Sequence, residues 1–302
     1  MTAGAITRQT LLLAGQTWRE GIRRRMLYVG FGLSLAFLLL YGLGVYFAFR
    51  HWQNWATVGA TGRDGPAAGL TSPEAIRDLA AYNMLSLAMF VSSFLGVMLA
   101  VFLASGMISG DKENGTLQTI VTRPIARWQI LLGRFLGFAS IYLVYVVVLD
   151  AALIGLTRVF ADFVPGAPLE AVALLSVQGL ILLSLTSIIT VLLPPIATGI
   201  LAFMAFGMGF IGGVVQEIGV FLRSPTAEHL GKAVMYLMPS DAFFRMGLHG
   251  LQPRTPGLVS ALVQAGPFGS LVMPDWKLIA YGLLYSAVLL FLATRLFARR
   301  DL

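Results

Sequence analysis

Charged residues along this chain gather at the edges of long uncharged runs. Between Arg25 and Arg50 lie 24 uncharged residues, about 36 Å as a helix, enough to cross a hydrocarbon core of roughly 30 Å. Asp78 and Asp111 bracket 32 more, and apolar character resumes after Arg134 until about Ala161. Glu170 and Glu217 bracket 46 uncharged residues with Pro194 and Pro195 in the middle. That run is too long for one helix. Proline removes a backbone donor and disfavours helix in the residue before it, so the pattern predicts a tight hairpin of two spans. The last apolar run, Leu278 to Thr294, ends on Arg295, Arg299 and Arg300. The expectation is an all-α polytopic membrane protein with six spans, at about 27–49, 82–108, 132–159, 170–193, 196–220 and 277–295, forming one transmembrane domain over 26–302.

The first 25 residues lack the form of a cleavable signal. Ile6, Leu11, Leu12, Leu13 and Trp18 alternate with Arg8, Gln9, Gln16, Arg19 and Glu20, which predicts an amphipathic helix on the membrane surface over 1–25. Residues 50–80 form a polar loop. Residues 221–276 are mixed. Their uncharged stretch, Thr255 to Met273, is broken by Pro256, Gly257, Gly266, Pro267 and Gly269. It is taken as a loop or a re-entrant element shielded by protein, not a seventh span.

Composition agrees. Of 302 residues, 57% are hydrophobic and 12% charged, and the mean hydropathy is +0.81; soluble domains carry about 25% charged residues. A soluble enzyme domain and a disordered chain are excluded. There is no cysteine, so thiol nucleophiles, Cys-ligated zinc and iron–sulfur clusters are excluded too. The net charge of +7 comes from basic residues flanking apolar runs, the usual signature of membrane orientation and not of nucleic-acid binding. With both termini on one side, that side holds 12 Lys and Arg against four acids, and the other holds nine of each. The excess places both termini in the cytoplasm.

One charged segment has a defined shape. Residues 109–134 run SGDKENGTLQTIVTRPIARWQILLGR. Asp111 and Glu113 precede an Asn114-Gly115 turn. Thr116 can cap a short helix from Leu117 to Val121, and Pro124 stops it between Arg123 and Arg127. From the residues alone, a docking loop for a soluble partner and an ordinary solvated loop both stand.

The run Glu113, Asn114, Gly115, Thr116, Leu117, then Arg123, Pro124, Ile125 and Arg127, then Leu131 to Phe135, resembles the permeases of the ABC-2 transporter family. Trp18-Arg19-Glu20 before the Arg23 to Arg25 triplet resembles that family's N-terminal elbow helix, and Phe297 to Leu302 its common C-terminus. The resemblance implies a type V exporter-like permease fold with six spans, in the cytoplasmic membrane of a bacterium or archaeon. It implies pairing with a second permease copy or paralogue. It implies a cytosolic ATP-binding-cassette ATPase as partner, which would carry ATP and magnesium, this chain binding no cofactor. The coupling loop would be 109–131, with Asp111, Glu113, Gly115, Thr116, Leu117, Arg123, Pro124 and Arg127 in it. The segment 221–276 would be extracellular or re-entrant. The chain has no G-x-x-x-x-G-K-S/T to cradle triphosphate, so ATP hydrolysis would belong to a separate chain.

Other residues have both a functional and a plainer reading. Asp150 is the lone acid well inside a span, a candidate for the transport pathway by default, or else a partner for a neighbouring helix. Glu170 and Glu217 sit at expected span ends, where solvation explains them. Gly209 and Gly213, one helical turn apart, could pack closely against a second copy, as could Gly133 and Gly137 or Gly106 and Gly110. Tyr236 to Arg245 resembles a stretch that precedes the last span in this family, and Asp241 with Arg245 forms an i,i+4 pair. No histidine cluster points to a metal. The expected function is an ATP-driven permease subunit, an exporter and not itself an enzyme. An ion-gradient-driven secondary transporter or channel is the alternative, and it would call for several embedded charges and an internal repeat.

Overall fold

A computed structural model describes residues 3–23, 25–50, 73–105, 107, 127–253 and 276–299. The described residues are helical, with no strand. In chain order the helices are α1 (Ala3–Arg23), α2 (Arg25–Arg50), α3 (Pro73–Ser105), α4 (Arg127–Ala161), α5 (Pro168–Leu192), α6 (Pro195–Phe221), α7 (Pro225–Leu237), α8 (Ser240–Gly250) and α9 (Trp276–Arg299). Six of them, α2 to α6 and α9, are long and apolar enough to cross a membrane.

Prolines start four of these helices, at positions 73, 168, 195 and 225. A first-turn proline loses nothing, because its missing N–H would have had no partner there. Leu193, caught before Pro194, is extended (φ −125°, ψ 160°). The α5–α6 turn is therefore two residues long. The α6–α7 turn uses different chemistry. Arg223 takes a left-handed conformation (φ 53°), its N–H reaches the Val220 carbonyl at 3.2 Å, and the Ser224 N–H reaches Gly219 at 2.8 Å. This pair of bonds is the Schellman arrangement, with arginine where glycine is usual.

Two boundaries differ from the sequence expectation, and one segment gains substructure. Helix α3 begins at Pro73, inside the segment expected to be a polar loop. In its first turns Arg77 reaches across to the Asp162 carbonyl at 3.2 Å and the Asp162 carboxylate at 3.4 Å. The loop expected to run to residue 131 gives way to helix at Arg127. Within 221–276 the chain forms α7 and α8, of 13 and 11 residues. At about 1.5 Å per residue both are too short to cross a bilayer. The stretch 255–273 lies outside the described residues.

Helix α5 is central, with α3, α4, α6, α8 and α9 all packed on it. One core cluster lies toward the end of the bundle where α3 stops and α4 starts, around Leu103, Leu131, Phe138, Tyr142, Leu183 and Phe297. A second fills the opposite end around Tyr82, Leu85, Met89, Phe163, Phe244 and Leu248. There the α4–α5 connection is bonded to the end of α8, Ala167 N–H to the Gly250 carbonyl at 2.7 Å and Gly166 N–H to Gln252 at 3.2 Å. Helix α2 lies at the margin. It leaves Leu35, Leu39, Leu40 and Phe47 exposed, and hydroxyls tie it to α4: Ser34 with Tyr145 at 2.5 Å and Tyr41 with Thr157 at 2.6 Å.

Candidate functional site

The residues 108–126 lie outside those described, and with them Asp111, Glu113, Gly115, Thr116, Leu117, Arg123 and Pro124. Arg127 is the first residue of α4. What the structure does describe is the mouth from which that segment leaves and to which it returns.

A helix ending inside a protein must find partners for its last carbonyls. Helix α3 finds them on two neighbours. The Thr190 hydroxyl of α5 donates to the Ser105 carbonyl at 2.8 Å. The Arg134 guanidinium of α4, itself only 8% exposed, donates to the Met107 carbonyl. The Met107 N–H folds back onto Ala104 at 3.0 Å. A cation suits this place, since the partial negative charge of a helix C-terminus favours it.

The same α4 turn also carries α1. A Cβ on Gly133 would stand 2.7 Å from the Leu13 Cβ and 3.1 Å from the Thr10 carbonyl. One turn on, a Cβ on Gly137 would stand 2.7 Å from the Thr17 Cβ and 2.8 Å from the Ala14 carbonyl. Helix α1 therefore meets α4 with its small residues, Thr10, Ala14, Thr17 and Gly21, spaced three to four apart. Its larger apolar residues Leu12 and Ile22 stay exposed. The Gly133 and Gly137 pair serves a contact within the chain.

At the far end of the bundle, α6, α7 and α8 enclose three charges. The Arg245 Nε donates to the Asp241 carboxylate at 2.5 Å within α8, and its outer nitrogen pairs with Glu217 of α6. All three are largely buried, with side-chain exposures of 14% for Arg245, 5% for Asp241 and 22% for Glu217. Burial pushes the Asp241 carboxyl up to about 6, Arg245 opposing and Glu217 adding to the push. Glu217 is thus a network member and not a solvated span end. The network fits because of Gly213, where any Cβ would overlap the Asp241 carboxylate. Gly209 similarly admits Met238 and Ser240, the latter at 3.2 Å. The sequence offers these two glycines as a possible seam with a second copy; the close approaches the structure describes are made within the chain, by Met238 and Ser240 at Gly209 and by Asp241 and Arg245 at Gly213. Along the same helix, Gly212 meets Val234 and Gly219 meets Ala227 and Glu228 of α7, and Gly231 of α7 meets the Gln216 backbone in return.

Asp150 lies inside the subunit, 1% exposed. The Ser92 hydroxyl of α3 donates to its Oδ1 at 2.5 Å, and Oδ2 has no hydrogen-bond partner among the described residues. Next to Ser92 on α3, the Ser93 hydroxyl donates to the side-chain Oε1 of Gln178 on α5 at 3.0 Å. The structure does not bring Asp150 together with the 108–126 mouth or with the Arg245 network. Arg134 stood in the sequence motif only as its last basic residue, and its capping role had no local signal. Thr190 had none at all.

The model of the ABC-2 family transporter proteins matches residues 12–302. Among curated proteins, the chain is similar to the probable ABC transporter permease protein NosY of Stutzerimonas stutzeri, 32% identical over 130 residues. It is similar to the same extent to the probable ABC transporter permease protein NosY of Pseudomonas aeruginosa. The matched part is 43% of this chain and spans 38% of each relative's length.

Proposed function

This chain belongs to the ABC-2 family of transporter proteins and is an integral membrane permease; on that premise we propose that it exports its substrate by coupling to a separate ATP-binding-cassette ATPase, which docks on residues 109–131. The ATPase contacts would come from Asp111, Glu113, Gly115, Thr116, Leu117, Arg123, Pro124 and Arg127. ATP and magnesium would be held by that partner, and a second permease copy or paralogue would complete the pathway. Both termini would lie in the cytoplasm.

The observation that carries the reading is the closed mouth of the 108–126 segment. Arg134 and Thr190 cap the departing helix, and α1 is locked against the returning one through Gly133 and Gly137. A loop rooted this firmly passes force to two long helices, α3 and α4, that run the full depth of a bilayer. When ATP draws two ATPases together, each pulls on one such loop, and the spans rock to switch access from one side to the other. Asp150, sealed between α3 and α4, would act in that rocking and not by lining an open path.

The test is to co-express the tagged chain with candidate ABC ATPases from the same organism. Stoichiometric binding, lost on Glu113→Lys while the variant still inserts, supports the reading. An ATPase that binds Glu113→Lys as well as the native chain would refute the docking assignment.

A further inference from the structure

We infer that Arg134 is a positioning residue that clasps the mouth of the coupling loop, so that α3 and α4 move as one body when the loop is pulled. The inference rests on the proposed docking of the ATPase on that loop. Its basis is a contact that spans the loop from outside it. Arg134 lies on α4 beyond the loop's return, and its guanidinium donates to the Met107 carbonyl just before the loop's departure, 27 residues earlier. Covalently, only the loop itself joins the end of α3 to the start of α4. A force on an unclasped loop would first splay those two ends apart, and that displacement would be lost to the spans. The clasp closes this route.

Three features suit Arg134 to the task. Its guanidinium is buried, so water competes poorly for the Met107 carbonyl. It sits at a helix C-terminus, where a cation is favoured. Its neighbour Gly133 presses on the α1 backbone, so α4 cannot yield sideways when Arg134 is loaded. Thr190 fixes the Ser105 carbonyl, two residues before Met107, to α5, which joins the clasped pair to the central helix. Arg134 itself need not touch the ATPase.

The experiment uses the full chain in complex with its ATPase in lipid nanodiscs, and reads two quantities. One is the stoichiometry of bound ATPase; the other is permease-stimulated ATP turnover per complex. Arg134→Leu is expected to bind ATPase normally and to lose stimulated turnover by about tenfold or more, the loss of a charge-assisted hydrogen bond. Arg134→Lys keeps a donor and a cation at the same carbonyl, and is expected to stay within about threefold of native. The natural chain has no cysteine, so a Met107→Cys, Arg134→Cys pair can be bridged by a short bifunctional thiol reagent. Bridging is expected to restore the turnover that the unbridged pair has lost, with bound ATPase at native stoichiometry before and after.

Native turnover in Arg134→Leu, or a bridged pair as inactive as the unbridged one, overturns the clasp. Loss of ATPase binding in Arg134→Leu also overturns it, since Arg134 would then belong to the docking surface. If Arg134→Leu does not fold, Arg134→Gln and the cysteine pair decide by the same readouts. A native chain that binds no ATPase sinks the docking reading itself, and the inference with it.

Discussion

Replacing Arg245 with methionine should release α8 from α6. The native guanidinium faces two carboxylates, Asp241 at 2.5 Å and Glu217. Arg245→Met keeps most of the side-chain volume and leaves both acids without their cation. Breaking a buried pair by removing one partner costs about 3–5 kcal/mol. Glu217 is 22% exposed and can recover some hydration, so the low end, about 3 kcal/mol, applies. Glu217→Gln is the milder change. It keeps a hydrogen-bond acceptor for Arg245 and removes one of two acids, for about 1 kcal/mol. The assay follows from Ser240, which is 0% exposed and whose hydroxyl has no partner. Ser240→Cys in this cysteine-free chain places a thiol under α8 with little disturbance. Its reaction with a water-soluble maleimide then reports how often α8 lifts. A loss of 3 kcal/mol in local stability should speed labelling about 150-fold, and a loss of 1 kcal/mol about fivefold. Labelling of Arg245→Met within threefold of native would refute the view that these charges hold α8 down. Equal effects from the two variants would show that the stranded acids are not the cause.

Four further outcomes are expected. Gly213→Ala should lower thermal stability by about 1–3 kcal/mol because its methyl overlaps the Asp241 carboxylate, whereas Gly207→Ala, with open space around it, should be neutral or gain up to about 1 kcal/mol; thermal unfolding in one detergent ranks the pair, and equal melting points would discredit the close packing. Gly137→Ala should loosen α1, seen as faster proteolysis of the N-terminal helix, while Gly155→Ala, which meets nothing within 4 Å, should not. Arg223→Gly should stabilise by up to about 1 kcal/mol, since glycine takes the left-handed conformation freely; a lower melting point would show that the arginine side chain has a use of its own. Asp150→Asn should fold and melt within about 1 kcal/mol of native, as the amide still accepts from Ser92. A loss beyond about 3 kcal/mol would reveal an ion pair formed only in the assembled permease.

The spans were legible because the bilayer imposes a crude rule, length of uncharged run, and this chain obeys it with proline at the starts. Pro194 and Pro195 announced the α5–α6 hairpin for that reason. What the rule cannot see is how helices continue beyond the hydrocarbon. Helix α3 runs back to Pro73, where Arg77 meets Asp162, 85 residues away, and no local pattern encodes that meeting. The Asp241–Arg245 pair was legible from its spacing, but Glu217 joins it only once α6, α7 and α8 are folded on one another. Gly209 and Gly213 illustrate the same gap. Small residues one turn apart say that something comes close; they do not say whether it is another copy or a later part of the same chain, such as the Met238 to Arg245 stretch that meets them. At the loop mouth, Arg134 was visible as a letter of the motif, while its contact with Met107 needed both ends of the loop in space.

Helix α5 has to wait for its neighbours. Translation proceeds from the N-terminus at about 5–20 residues per second, and roughly 80 residues separate the end of α5 from the start of α9, so α5 spends on the order of 4–16 s with that flank uncovered. An apolar helix rich in serine and threonine would, in that interval, show its hydroxyls to lipid. Here they are spoken for: Ser176, Ser184, Thr186 and Ser187 each donate to the carbonyl four residues back, at 2.6–2.8 Å. Thr190 alone reaches outward, to Ser105 of α3, which the ribosome has already made. The helix around which the others assemble is thus solvent-compatible with the bilayer from birth, and its polar groups place no demand on parts of the chain that do not yet exist.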